Sequence, residues 1–408
     1  RLTAPVMSDG RLYAASEDRY TVHAMDAGSG QHLWSYPAGG RIDSPPTIHR
    51  GRVLFGSADG WVYCLRASDG RLAWKYRAAP KARNVVDRNR LESAWPVHGS
   101  VLVKNGTVYF VAGRSGYLDG GIYLHALDPE TGKKLFRRRL CSRDPETGQE
   151  PEGVIHAVSM PGMLPDVLSS RGDSIFMRHT RFSLQGKPLK QNKPHLMSSV
   201  GFLDDSWWHR TYWIIGTQMG TGWGGWDNMG RRVPAGRLLV RDEKKVYGFG
   251  RSNYTHLGRY VGLGDTHYRL FATSLKDRKK STRWSTRLPF WARAMVLDGG
   301  DRLFAAGPPV PRYLDGKTAS RKKALKYEDA MLGPWYGEFS YEVRDPKGAL
   351  KAWRGKKGAF LWAVSGETGK KLQARRLAAP PVFDGMIAAG GRLYICMTDG
   401  VVRCLGGK

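Results

Sequence analysis

The sequence predicts an all-β protein of the β-propeller class, and three observations carry that prediction. Ser44 to Tyr76 reads as four short strands joined by three turns. The same pattern stands upstream from Pro5 to Tyr36, where Trp34 precedes Trp74 by 40 residues and Asp26–Gly30 precedes Arg66–Gly70 by the same step. The 408 residues carry 51 glycines and little helical periodicity, as expected of many strands with tight turns. A lone four-stranded sheet leaves two faces and two edges open. A repeat of about 40 to 45 residues with four strands is the length of one propeller blade.

Each element follows from local pattern. Thr47-Ile48, Arg52–Gly56, Trp61–Leu65 and Leu72–Tyr76 are the strands of the second repeat, and Ala58-Asp59-Gly60 is a hairpin turn because Asp-Gly tolerates positive φ. Ala78–His98 reads as a long connector on one rim. A third repeat runs from Val101 through Thr107–Ala112 and Ile122–Leu127 to Phe136, which takes the place of tryptophan. Asp144–Gly148 repeats the turn of Asp128–Gly132 and is expected to be an exposed loop. Weaker strands follow at Asp166–Ser170, Ser174–Arg178 and Arg181–Leu184, with Gln185-Gly186-Lys187 as the turn. Leu196–Leu203 and Thr211–Gly216 read as two more. Leu238–Arg241, Lys245–Phe249, Arg269–Ser274 and Thr282–Ser285 form the next repeat, with Trp284 at its outer strand. Ala292–Leu297, Arg302–Ala306, Phe360–Val364 and Gly366–Leu372 form another. The last is Pro381–Phe383, Arg392–Met397 and Val401–Leu405, three strands without a fourth. An open edge is a liability, so a closing strand is expected upstream of Arg1, with Arg1–Thr3 at most its stub. Arg1 itself resembles a processed or truncated start. The chain is thus expected to be one propeller domain, 1–408, with insertions at about 141–163, 204–235 and 308–357. Eight blades are expected if Leu196–Gly216 is a degenerate blade, seven if it is an insertion, and eight is preferred.

Charge and cysteines narrow the partners. Lys and Arg total 65 against 36 Asp and Glu, a formal net charge of +29. Such an excess suits a polyanionic partner such as an acidic or sulfated glycan. The charge is read as spread over loops, with clusters at Arg137–Arg139, Lys279-Lys280 and Arg321–Lys323. No nucleic-acid motif accompanies it, so nucleic acid ranks low. No run of about 18 apolar residues reads as a membrane span. Cys64 and Cys404 occupy the same repeat position and read as small packing residues; Cys396 could pair with Cys404 if the register allows; Cys141 lies in an insertion. No metal or catalytic thiol is expected of them.

The segment Ala24-Met25-Asp26-Ala27-Gly28-Ser29-Gly30-Gln31-His32-Leu33-Trp34 resembles the Ala-x-Asp-x-x-x-Gly-x-x-x-Trp motif of the pyrroloquinoline-quinone-like propeller repeats, as do Leu127–Phe136 and Val364–Leu372. The resemblance covers the first three repeats and the last two, and covers Cys141–Leu288 poorly. It implies that the glycine turn and the tryptophan dock each blade onto the next, usually in an eight-bladed fold. The family includes quinoprotein alcohol dehydrogenases and outer-membrane assembly scaffolds. The dehydrogenases use a disulfide between adjacent cysteines beside the quinone, and this chain has no Cys-Cys pair. Their calcium-ligand pattern is not recognisable either, so no quinone, metal or other cofactor is expected.

The richest candidate site is Asp204–Asn228. His209, Arg210, Tyr212 and Asp205 are the candidate catalytic residues, and Trp207, Trp208, Trp223 and Trp226, with Trp95 and His98 from the long connector, are candidate ligand-binding residues. Indole faces stack on sugar rings, and arginine makes bidentate contacts to carboxylate or sulfate. His, Tyr and Arg over a propeller mouth would suit β-elimination from a uronate; Asp205 with Asp227 would instead suit glycoside hydrolysis. Three functions stay open: a secreted or periplasmic binder of an anionic polysaccharide, a lyase or hydrolase acting on it with lyase preferred, and a protein–protein scaffold.

Overall fold

The Asp-x-x-x-Gly segments fold as tight turns because the aspartate caps its own backbone. Asp26 Oδ1 accepts hydrogen bonds from Gly28 N (3.0 Å) and Ser29 N (2.7 Å), and Gly30 N donates to Asp26 O (2.8 Å) with Gly30 at φ +76°. Asp128 does the same with Glu130 and Thr131. Each such turn reverses the chain between the third and fourth strands of a sheet.

The computed structural model describes residues 1–87, 89–144, 146–149, 165, 167–198, 212–217, 233–251, 268–275, 282–310 and 345–406. The first sheet is β1 (Val6–Ser8), β2 (Arg11–Ser16), β3 (Thr21–Asp26) and β4 (His32–Pro37), and the second is β5 (Thr47–His49), β6 (Arg52–Gly56), β7 (Trp61–Arg66) and β8 (Leu72–Arg77). A separate hairpin, β9 (Asn84–Asp87) with β10 (Arg90–Ser93), lies within the long connector. The third sheet is β11 (Leu102–Lys104), β12 (Thr107–Ala112), β13 (Ile122–Leu127) and β14 (Lys134–Leu140). The fourth is β15 (Ser169–Arg171), β16 (Ser174–Met177), β17 (Thr180–Ser183) and β18 (Pro188–Leu189). The fifth has three strands, β19 (His195–Ser198), β20 (Trp213–Gly216) and β21 (Ala235–Gly236). The sixth is β22 (Leu238–Arg241), β23 (Lys245–Arg251), β24 (Tyr268–Ser274) and β25 (Thr282–Thr286); the seventh is β26 (Ala294–Leu297), β27 (Arg302–Gly307), β28 (Ala359–Ser365) and β29 (Lys371–Leu377). The last has three strands, β30 (Pro381–Ala389), β31 (Arg392–Met397) and β32 (Val402–Gly406).

These eight antiparallel sheets are the blades of an eight-bladed β-propeller, and the fifth is the degenerate one. The chain divides into two compact units. The first holds the first four sheets, and the second holds the sixth, the seventh and most of the eighth.

Within each unit the strands read as continuous apolar runs because both faces of a blade are covered. In β6, Val53 and Phe55 join the core with Tyr13 and Val22 of the first sheet, whereas Leu54 joins Val108 and Phe110 of the third. In β12, Phe110 faces the second sheet and Tyr109 and Val111 face the fourth, the period of two that a strand imposes. The second unit builds its core in the same way from Phe249, Leu270, Leu303 and Val364.

Sheets dock through one recurring contact. The residue opposite the site before the β-bulge in each outer strand is Trp34, Trp74, Phe136 and Trp284 in the first, second, third and sixth sheets. Trp34 Nε1 donates to Ala67 O (3.0 Å), Trp74 Nε1 to Pro129 O (3.0 Å), and Trp284 Nε1 to Gly366 O (2.8 Å). The ring then lies on the turn glycine: a Cβ on Gly70, Gly132, Gly186 or Gly369 would come within 2.7 Å of Trp34, Trp74, Phe136 or Trp284. The same carbonyl position receives a tyrosine hydroxyl in two further places, Tyr109 on Leu184 O and Tyr394 on Ala27 O, both at 3.0 Å. The hydrogen bond is worth about 1 kcal/mol, and the buried indole several times that, so apolar docking dominates.

Several expectations are corrected. Residues 1–3 extend the first sheet: Leu2 bridges Ser16, and Thr3 N donates to Ala15 O (2.8 Å), so Arg1–Thr3 are not a stub of the last sheet. The connector holds a hairpin, whose turn is set by Asn89 at φ 62°. The insertion at 308–357 ends in a helix, α1 (Pro346–Trp353), with Asp345 as N-cap and proline in the first turn. Cys64 is buried as expected, but Cys404 is exposed and both it and Cys396 are free thiols. Arg137–Arg139 lie on a strand, β14, rather than in a loop.

Candidate functional site

The turn Ser57–Gly60 of the second sheet anchors the connectors on either side of it. Ala58 N donates to Arg41 O (2.8 Å), Ser93 N to Ala58 O (2.8 Å), and Val97 N to Ser57 O (3.1 Å). Gly60 sits at φ +83°, where a Cβ would strike Ser93 and Ala79, so the turn demands glycine. Pinned this way, the connectors bring Arg41, Asp43, Glu92 and His98 together.

Their charges satisfy one another. Arg41 Nε donates to Asp43, whose other oxygen meets His98 Nδ1, and Arg41 Nη1 lies 3.0 Å from Glu92 Oε1, off the hydrogen-bond axis. Burial pushes the Asp43 carboxyl up, but His98 and Arg41 outweigh it and hold it below the usual carboxylate range. Burial raises Glu92, with Arg41 opposing. Beside them, the Arg1 guanidinium is 3.4 Å from Glu17. Burial pushes Glu17 up to about 7 in spite of Arg1, helped by Asp43. A carboxylate-oriented imidazole beside an arginine could move a proton. Here it is also a knot of side chains that ties two connectors together.

The other candidates fall elsewhere. His98 is in this cluster, as the sequence suggests. Trp95 corrects the expectation of a rim platform: it is 4% exposed, in the core with Leu54 and Phe110. Tyr212 is fully buried just before β20. His209, Arg210, Asp205, Trp207, Trp208, Trp223 and Trp226 lie outside the described residues. Sequence reading missed Arg41, Asp43 and Glu92, although Asp-Gly turns flanked by charged connectors mark where such residues gather.

A second feature lies on the outer strands. β8 carries Lys75 and Arg77; β14 carries Lys134 and Arg137–Arg139; β25 carries Arg283; β29 carries Lys371, Arg375 and Arg376. None of these strands holds an Asp or Glu. Several cations are fixed over aromatic rings of the third strand: Lys75 over Trp61 (4.9 Å), Arg137 over Tyr123 (5.4 Å), Lys371 over Trp362 (5.0 Å) and Arg376 over Phe360 (4.3 Å). Those ring faces meet a cation rather than a sugar.

Cys64 and Cys396 are buried, Cys141 and Cys404 exposed, and no two are adjacent in sequence. The described residues bring together no three His, Cys, Asp or Glu side chains placed to share a metal ion.

Known proteins place this architecture. The model of the family described as outer membrane protein assembly factor BamB matches residues 1–153. Quinohemoprotein alcohol dehydrogenase ADH-IIG of Pseudomonas putida is 27% identical over 161 residues, 37% of this chain and 21% of that protein. The assembly factor BamB of Moranella endobia is 33% identical over 75 residues, 18% of this chain and 19% of that one. The match spans about a fifth of the length of these relatives. Among solved structures, the quinohemoprotein alcohol dehydrogenase of Comamonas testosteroni superposes with a TM-score of 0.55 at 14% identity, over 96% of this chain and 69% of that one, a likeness of fold alone. With the turn-and-tryptophan docking, these matches make residues 1–153 similar to the pyrroloquinoline-quinone-like propeller repeats.

Proposed function

We propose that this protein is a non-catalytic scaffold that works outside the cytoplasm and holds an acidic protein partner against the basic outer strands of its sheets. The observation that carries this reading is the segregation of charge. The connector cluster of the first unit pairs its own acids and bases, whereas β8, β14, β25 and β29 carry bases with no acid among them. Unbalanced, preoriented cations attract anionic surfaces and speed encounter. A protein partner is preferred to a polysaccharide because Trp61, Tyr123, Trp362 and Phe360 already hold cations over their rings. That the BamB relatives are outer membrane protein assembly factors supports both the scaffold role and the compartment.

The test is retention on immobilised poly-L-glutamate against polygalacturonate, over a salt gradient. The reading expects stronger retention on the polypeptide, reduced at least fivefold in affinity by Arg137→Glu with Arg138→Glu. Tighter binding of polygalacturonate, or a rise in ultraviolet absorbance from unsaturated uronate, would replace the scaffold with the glycan binder or the lyase.

A further inference from the structure

The connector hairpin turns its apolar face outward. β9 and β10 pair Asn84 with Ser93, Val85 with Glu92, Val86 with Leu91 and Asp87 with Arg90. Strand alternation puts Val85, Asp87, Arg90 and Glu92 on one face and Val86 and Leu91 on the other. The first face is fixed to the body of the first unit. Val85 packs against the core that holds Trp95 and Phe110, Glu92 is buried 3.0 Å from Arg41, and Arg90 is 3.2 Å from Asp18. The second face leaves Val86 75% and Leu91 70% exposed, the two most exposed large aliphatic side chains among the described residues. Scattered apolar residues on a surface need no explanation, but two set side by side on a rigidly held hairpin do.

Charge around the pair selects what covers it. The loop between β12 and β13 is tied to the base of the hairpin, where Arg83 Nη1 lies 3.0 Å from Asp119 Oδ1. Asp119 also meets Arg114 at 2.6 Å, and Arg139 Nε donates to Gly120 O (2.6 Å). One buried carboxylate thus faces two arginines, and Arg139 adds a third cation beside it. The same loop exposes Leu118, and Lys81 is exposed just before the hairpin. We infer that Val86, Leu91 and Leu118, with the cations around them, form a face that inserts shallowly into an anionic lipid bilayer surface. The aliphatic side chains enter the boundary between headgroups and acyl chains, and the cations meet the phosphates. A specific protein interface buries about 800 Å² on each partner and is anchored by Trp, Tyr or Arg in pockets, with Leu and Val under-represented. A few aliphatic side chains on a flat hairpin match a bilayer better. The ties of Glu92 and Arg90 hold the pair in place beforehand, so insertion costs little ordering. The inference stands apart from the acidic protein partner proposed for the outer strands.

The experiment is flotation of the full chain with vesicles of mixed phosphatidylglycerol and phosphatidylcholine, and with vesicles of phosphatidylcholine alone. Binding to the anionic vesicles is expected to be tighter by about tenfold or more. Val86→Thr with Leu91→Thr keeps β-branched residues on the strands and is expected to weaken that binding about fivefold or more with an unchanged circular-dichroism spectrum. Leu91→Trp is expected to strengthen it, because indoles favour the membrane interface. Lys81→Glu is expected to weaken binding to anionic vesicles about threefold and to leave binding to neutral ones unchanged. Retention on poly-L-glutamate is expected to be the same in the threonine variant as in wild type, so failure of the outer-strand reading and failure of this one are told apart. Wild-type protein that does not float with anionic vesicles would overturn the inference. Unchanged binding in both the threonine variant and Leu91→Trp would do the same, and loss in Arg137→Glu with Arg138→Glu alone would assign vesicle binding to the outer strands. A dimer that forms without vesicles and is lost in the threonine variant would also overturn it, because a second copy would then cover the pair.

Discussion

The two compact units treat the same structural position differently. In the first unit the aromatic before the bulge lies on a turn glycine in three sheets, Trp34 on Gly70, Trp74 on Gly132 and Phe136 on Gly186, while the outer strand of the fourth sheet, β18, carries no aromatic. In the second, Trp284 lies on Gly369 in the same way, yet the equivalent site of β29, opposite Ala363, is Gln373. The comparison teaches that the aromatic, rather than the strand pairing around it, is what joins one sheet to the next. β29 keeps its full register and its bulge without an aromatic.

Removing a docked indole should hurt most. Trp34 is 8% exposed, so Trp34→Ala is expected to lower stability by about 3–5 kcal/mol in urea unfolding. A loss below about 1 kcal/mol would mean that the strands alone hold the sheets together. The glycine side of the contact is next. Gly132 and Gly148 end identical Asp-Pro-Glu-Thr-Gly turns at φ +69° and +70°, but a Cβ on Gly132 meets Trp74 at 2.7 Å and one on Gly148 meets nothing within 4 Å. Gly148→Ala should cost about 1 kcal/mol for its backbone alone and Gly132→Ala about 2–3 kcal/mol; equal costs would show that docking adds no constraint at the turn.

Charge in the first unit gives a pH-dependent effect. Glu17 holds its proton up to about 7 in the folded state, against about 4.3 in an unfolded chain. Its contribution is therefore full below about pH 4 and is lost as pH rises through 7. Glu17→Gln should leave stability at pH 4 unchanged and raise it at pH 8, by on the order of 1–2 kcal/mol. A variant equally stable to wild type at both pH values would place Glu17 in solvent. The smallest effect belongs to β29: Gln373→Ala is expected to shift stability by less than about 0.5 kcal/mol, as an exposed residue should.

Much of the architecture was legible in the sequence because turns and strands are local. Arg52–Gly56 and Leu238–Arg241 begin and end where the pattern places them. The Asp-x-x-x-Gly-x-x-x-Trp spacing announced the docking contact itself. The departures have physical causes. The hairpin β9–β10 has exposed Val86 and Leu91, so no buried face marked it as a sheet. The helix α1 carried Asp345-Pro346, a capping signal read over because the flanking insertion is long. The two copies of Asp-Pro-Glu-Thr-Gly are indistinguishable by sequence; what separates them is a tryptophan more than 50 residues away. The site was less legible for the same reason. Arg41, Asp43, Glu92 and His98 meet because connectors far apart in sequence are pinned to the Ser57–Gly60 turn, and no spacing along the chain records that. Trp95 shows the opposite error: an indole near a rim is still an apolar body, and here it packs inward.

The most direct measurement compares Trp284→Ala with Gln373→Ala, two substitutions at equivalent positions in one unit, by parallel urea unfolding. The account predicts a midpoint lowered by the equivalent of about 3 kcal/mol for Trp284→Ala and an unchanged midpoint for Gln373→Ala. Equal losses in the two variants would contradict it, since the Gln373 position would then be a structural joint like the others.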